Sequence, residues 1–162
     1  MITFARNVKE HTSQPVTFCE NYVPWLNTLK PLAAVLDFIS IHTYPVWEYK
    51  HIHEAMDYTQ ANHDMVAGLY PDKPVIITEA GWATNSNGRG IHPEHVNELN
   101  QKTYYEDLMN WSEEKKILTF FFEAFDEEWK GSHDPFEPEK HWGLFRIDRS
   151  PKLAMENLVK TA

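Results

Sequence analysis

The 162 residues suffice for one ordinary domain, and a content of 42% hydrophobic and 14% aromatic residues supplies a packed core. Fifteen Lys and Arg stand against 24 Asp and Glu, a net charge of −9 that repels phosphate backbones and anionic lipid and so argues against nucleic acid or membrane partners. Cys19 stands alone, which excludes an intrachain disulfide and a thiolate metal cluster, and no apolar run approaches the roughly 20 residues of a membrane-spanning helix.

In chain order, a helical stretch "FARNVKEH" precedes a first strand in "PVTFCE" (15–20). A helix is predicted near 24–34, a second strand in "DFISIHTYP" (37–45) and a helix over 52–69. The third strand is "KPVIITEAGW" (73–82), followed by a helix over 93–115, a fourth strand "ILTFFFEAF" (117–125) and a last helix in "SPKLAMENLVKTA". The strand runs are continuously apolar rather than alternating, as expected of parallel strands covered on both faces. The order is α(βα)₄ in one α/β domain over 1–162. Pro93 with Glu94 marks one helix start, and Ser150 as cap with Pro151 in the first turn marks another. The loop from Asp126 to Asp148 is long for a connection, which suits a functional segment.

Each strand ends in polar or aromatic groups: Glu20 and Asn21; His42 and Tyr44; Glu79 and Trp82; Glu123, Asp126 and Glu127. In parallel α/β folds these ends share one rim, where catalytic groups collect. A strand-end carboxylate also commonly caps the next helix. Glu79 escapes that reading, because Gly81 and a further loop separate it from the helix near 93. Carboxylates beside aromatic rings suit a sugar, whose C–H faces stack on indole while its hydroxyls bond acids. Tyr44, Trp82 and Trp129 are placed there, although most of the six tryptophans belong to the core by composition alone. The pairs in "HIH" (51–53) and "HPEH" (92–95) lack a carboxylate at telling spacing, so neither a metal nor a cofactor is expected. "NWS" (110–112) fits a glycosylation pattern inside a predicted helix.

The motifs "DFISIHTYPVW", "VIITEAGW", "FFFEAFDEEWK" and "HWGLFRIDRSPK", in that order, resemble glycoside hydrolase family 17 in its bacterial form, the β-1,3-glucanases and transglycosylases. The resemblance implies half of a (β/α)₈ TIM barrel, a (βα)₄ unit corresponding to family strands five to eight. It implies a β-glucan oligosaccharide substrate and retaining chemistry, with Glu79 at the nucleophile position and Tyr44 as its hydrogen-bond donor. Glu127 and Lys130 fall where the family places further active-site polar groups; the strand-end reading adds Glu123, Asp126 and Trp129 as substrate-binding groups. Ala83 departs from the proline common after the Gly-Trp pair.

The family's general acid belongs to an Asn-Glu pair at the end of strand four, and no counterpart is found here; Asn97-Glu98 lies downstream in a helix. Glu20 is the expected substitute within the chain, and Glu123, Asp126 or Glu127 of a second copy the alternative. A half barrel leaves two strand edges and an apolar inner face open, so a homodimer or higher homo-oligomer is expected. The competing reading is a weakly catalytic glucan-binding half barrel, or a fragment, that lacks the family's general acid. The compartment is left open: secretion or a periplasmic location is expected if an export signal precedes the sequence, and a cytoplasmic one otherwise.

Overall fold

The computed structural model describes residues 1–159. Four parallel strands form one sheet in the order β1-β2-β3-β4: β1 (Cys19–Asn21), β2 (Ile39–Thr43), β3 (Val75–Ala80) and β4 (Thr119–Phe121). The helices are α1 (Ile2–His11), α2 (Tyr22–Leu26), α3 (Lys30–Ala33), α4 (Ala55–Leu69), α5 (Glu98–Lys115) and α6 (Glu156–Val159). Parallel neighbours in sequence order need a crossover between each pair, and α4 and α5 are the two long ones.

The core lies between sheet and helices. Ile39, Ile41, Val75 and Ile77 are buried on the strands, against Val66 of α4 and Tyr104 and Leu108 of α5. Their alternation puts Ser40, His42, Ile76 and Thr78 on the opposite face. Two glycines permit close backbone approaches beside the strand ends. A Cβ on Gly81 would stand 2.0 Å from the carbonyl oxygen of Phe122, and one on Gly143 would stand 2.1 Å from the amide nitrogen of Asp126. Leu144 N–H donates to the Glu123 carbonyl, Phe145 N–H to that of Ala124 and Asp126 N–H to that of Phe145, each at 2.9 Å, which extends the pairing past the last residue of β4.

Three predicted helices differ from the observed ones. The helix expected over 24–34 is two short pieces, because the chain breaks at Asn27 (φ −141°, ψ −77°) and restarts with Pro31 in the first turn of α3. Pro93 opens only a 3₁₀ turn to His95; α5 starts at Glu98 behind Asn97, whose side chain accepts from Asn100 N–H at 2.7 Å. Ser150 and Pro151 do not start a helix. Ser150 folds back on Asp148 Oδ1 through both N–H and hydroxyl, Arg149 takes φ +70°, and Pro151 pairs antiparallel with Phe145. The local aspartate turn thus outcompetes the cap.

Candidate active site

Glu79 is the penultimate residue of β3, at the rim, its side chain 35% exposed. Its Oε2 accepts from Tyr44 OH at 2.6 Å, and His42 Nδ1 lies at 3.4 Å. The register explains the contact: His42 pairs with Glu79 after a shift at Ile41/His42, which brings the end of β2 alongside. Burial first, then the Glu79 carboxylate, pushes the Tyr44 phenol far above its ordinary range, so Tyr44 remains a donor at every working pH. Its ring is held edge-on by Trp142 at 5.1 Å and Phe122 at 6.0 Å. Those rings fix the donor that orients the carboxylate.

A second charged group sits beside this one. Lys130 Nζ lies 2.6 Å from Glu123 Oε2, 3.0 Å from Glu127 Oε2 and 4.5 Å from the Phe122 ring centroid. Burial works against the ammonium, but the hydrogen bonds to Glu123 and Glu127 outweigh it and hold Lys130 above its usual value. Burial raises Glu123 despite Lys130. Glu139 is likewise raised, foremost by burial; Lys130 opposes, while Glu137 and Glu79 add to the shift. Glu139, Glu137, Trp47, Arg89 and Ser132 border an open cleft of about 530 Å³.

Tyr44, Glu79, Glu123, Glu127 and Lys130 therefore gather on one side of the sheet. Trp129 is 77% exposed and free to stack on a ligand. Trp82 is fully buried: its indole N–H donates to His95 O at 3.1 Å and its ring packs 5.6 Å from Tyr104, so it serves the core. Asp126 is committed to Lys152 Nζ at 2.8 Å and Gly143 N–H at 2.9 Å, with the carboxylate side chain 8% exposed. Burial depresses the Lys152 ammonium, while Asp126 supports its charge. Glu20 is not brought to Glu79. It stands opposite Ile41, whereas Asn21 shares the row of His42 and Glu79, so alternation turns Glu20 to the other face. Its Oε1 accepts from Asn21 N–H at 2.8 Å, and Asn21 itself caps α2.

Glu139 was not singled out from the sequence, and neither was Gln101. Gln101 is fully buried in α5, and its side-chain nitrogen lies 2.9 to 3.2 Å from the carbonyls of Trp82, Trp142 and Gly143, tying the β3 end to the segment behind Tyr44. "FEPEKHWG" held the only signal for Glu139, an acid just before a buried tryptophan. The histidine pairs do meet in space, yet among the described residues no group of three or more His, Cys, Asp or Glu is arranged to hold a metal ion. No described helix is long and apolar enough to cross a membrane.

A parallel α/β sheet whose rim carries a phenol-pinned carboxylate framed by aromatic rings and further acids is the arrangement of a glycoside hydrolase. The chain belongs to the BtgE/BtgC glycoside hydrolase domain family, whose model matches residues 2–143. It is similar to an endo-laminarinase from Formosa Hel1_33_131 (TM-score 0.89, 25% identity), covering 99% of this chain and 52% of that one. It is similar to an active-site mutant of the Rhizomucor miehei β-1,3-glucanosyltransferase in complex with laminaritriose (TM-score 0.79, 25% identity), covering 94% and 53%. A glucan 1,3-β-glucosidase of Arthroderma benhamiae is 32% identical over 87 residues, 49% of this chain and 27% of that protein. The chain thus spans about half the length of these solved structures, and its four parallel strands form part of a TIM barrel.

Proposed function

We propose that this domain acts on β-1,3-glucan as a retaining hydrolase or glucosyl transferase, with Glu79 as nucleophile. One observation carries the reading above the others: the Glu79 carboxylate near the end of β3 is part-exposed and pinned by Tyr44 at 2.6 Å. A Glu79 oxygen attacks the anomeric carbon, the glycosidic C–O bond breaks, and the departing oxygen takes a proton from a second carboxyl. Water or an acceptor hydroxyl then displaces Glu79 and returns a proton to that carboxyl. Trp129 offers a face for stacking, and Lys130 with Glu123 and Glu127 offers partners for sugar hydroxyls. The β-1,3 linkage is supported by the relatives, an endo-laminarinase and an active-site mutant of a β-1,3-glucanosyltransferase in complex with laminaritriose.

For the proton carrier, Glu139 has better support in this chain than Glu20. A carboxyl raised by burial and by neighbouring Glu137 and Glu79 keeps its proton closer to neutral pH, as an acid requires. Turnover of a β-1,3-linked gluco-oligosaccharide and of an activated aryl β-glucoside, with Glu79→Gln alongside, tests the reading. Loss of both activities in the variant is expected, and an unimpaired variant would sink the nucleophile assignment. The exposed Trp129 also suits a glucan-binding domain with little catalysis, and binding without turnover by the parent chain is the outcome that favours it.

The edges of β1 and β4 are unpaired among the described residues, and Leu118 and Phe120 are exposed at 57% and 53%. A second copy of the chain is the proposed occupant, closing the sheet through an obligate interface. Sedimentation equilibrium checks this: a dimer is expected, and a stably folded monomer overturns it.

A further inference from the structure

Away from the carboxylate rim, imidazoles from two connections meet. His51 precedes and His53 lies within the 3₁₀ turn Ile52–Glu54 that leads into α4, and His92 precedes and His95 ends the 3₁₀ turn Pro93–His95 before α5. The His51 ring lies 4.1 Å from His95 and 5.5 Å, stacked, from His53; His92 lies 5.4 Å from His95 and 5.1 Å from Tyr49. His95 is 8% exposed, and its Nδ1 has no hydrogen-bond partner. The same residue's carbonyl accepts from Trp82 Nε1 at 3.1 Å and from Asn100 Nδ2 at 2.8 Å. His95 thus fastens the loop between β3 and α5 to the core residue three positions past Glu79 and to the first turn of α5.

We infer that this cluster is an acid-sensitive latch. The packed rings hold the β2–α4 connection against the β3–α5 loop, and proton uptake at His95 drives them apart and frees the loop.

The charges facing His95 are few. From the β2–α4 connection come His51, with Glu54 behind it bonded to the His51 backbone N–H at 3.0 Å, and then His53. From its own turn come His92 and Glu94, the latter 3.7 Å from His92. Asn100 and Trp82, its partners from α5 and the core, carry no charge. Burial foremost, then His51, lowers His95 below the ordinary imidazole value of 6.5; Glu94 opposes, His92 adds and Glu54 opposes. A buried base of this kind binds its proton more readily once released. The latch is therefore closed above about pH 6.5 and weakens as pH falls from there through the lowered value of the closed form. The loop carries Arg89 and Gly90, which border the cleft with Trp47 and Glu139, so its release opens that cleft whatever the substrate.

Hydrogen exchange of the segment 83–97, corrected for intrinsic rates, tests the latch on the intact chain at about pH 7 and pH 5. About a tenfold loss of protection at the lower pH is expected there, with α4 unchanged. His51→Gln removes the nearest ring from an exposed position and is expected to cut the acid response to less than half. His95→Gln, if it folds, is expected to abolish it. An unchanged response in His51→Gln, or none in the parent chain, overturns the inference. Because the readout involves no substrate, it is independent of the proposed glucan activity.

Discussion

The Tyr44 hydroxyl donates to the Glu79 carboxylate at 2.6 Å, from the residue that follows β2 to the fifth residue of β3. A hydrogen bond to a charged group contributes about 1.5–3 kcal/mol. Tyr44→Phe should therefore lower kcat on a β-1,3-gluco-oligosaccharide roughly 10- to 100-fold with little change in KM. A KM effect alone would show that Tyr44 binds sugar rather than orienting the nucleophile.

Glu139→Gln separates protonation from attack. Removing a general acid costs typically about 10²- to 10⁴-fold when the leaving group needs a proton, and far less when it does not. Large loss on the natural oligosaccharide with near-normal release from an activated aryl β-glucoside is expected. Equal losses on both substrates would remove Glu139 from the acid role, and Glu20→Gln run in parallel should leave both activities close to those of the parent.

Lys152 and Asp126 form a buried pair, with side chains 2% and 8% exposed. Deleting one member strands the other, at a cost of about 3–5 kcal/mol. Lys152→Met should thus lower Tm by roughly 10 °C. Thermal melts of Lys152→Met, Asp126→Asn and the double variant would reveal a coupling, and additive losses would mean that the two residues act apart.

Lys130 restrains Glu123, whose carboxyl burial already raises. In Lys130→Met that restraint is gone, and Glu123 is pushed further up. A raised carboxyl favours the folded chain while protonated, so its contribution is present below the ordinary value of 4.5 and is lost as pH rises through the folded value. Tm of Lys130→Met should fall between about pH 5 and pH 8 more steeply than that of the parent. Parallel curves would show that Glu123 is shielded by another partner.

Gly81→Ala places a methyl 2.0 Å from the Phe122 carbonyl oxygen, where only backbone movement can relieve it. Overpacking costs about 1–3 kcal/mol, occasionally more. Lower stability with a larger loss of activity is expected from calorimetry and turnover together, because the shift falls between Glu79 and Glu123.

The parallel α/β order and the placing of Glu79 at a strand end were legible in the sequence by itself. Both follow from local chemistry: continuous β-branched runs, breakers between them, and a carboxylate with no helix close enough to cap. Helix starts at Pro93 and Pro151 were less secure, since a proline permits a first turn without requiring a second. Tertiary structure decided which strand-end groups face one another. Glu20 and Asn21 differ by one position, and alternation sends them to opposite faces; which of them joins the row of Glu79 depends on the extra residue, Thr78, that β3 carries against β2, which no pattern in the sequence marks. Trp82 and Trp129 look alike as aromatics beyond strands, yet one is sealed under His95 and the other lies in solvent, because burial is set by what a distant segment lays over a residue. Glu139 and the histidine cluster depend on the same cause: their charges acquire meaning only from neighbours that are remote in the chain and close in space.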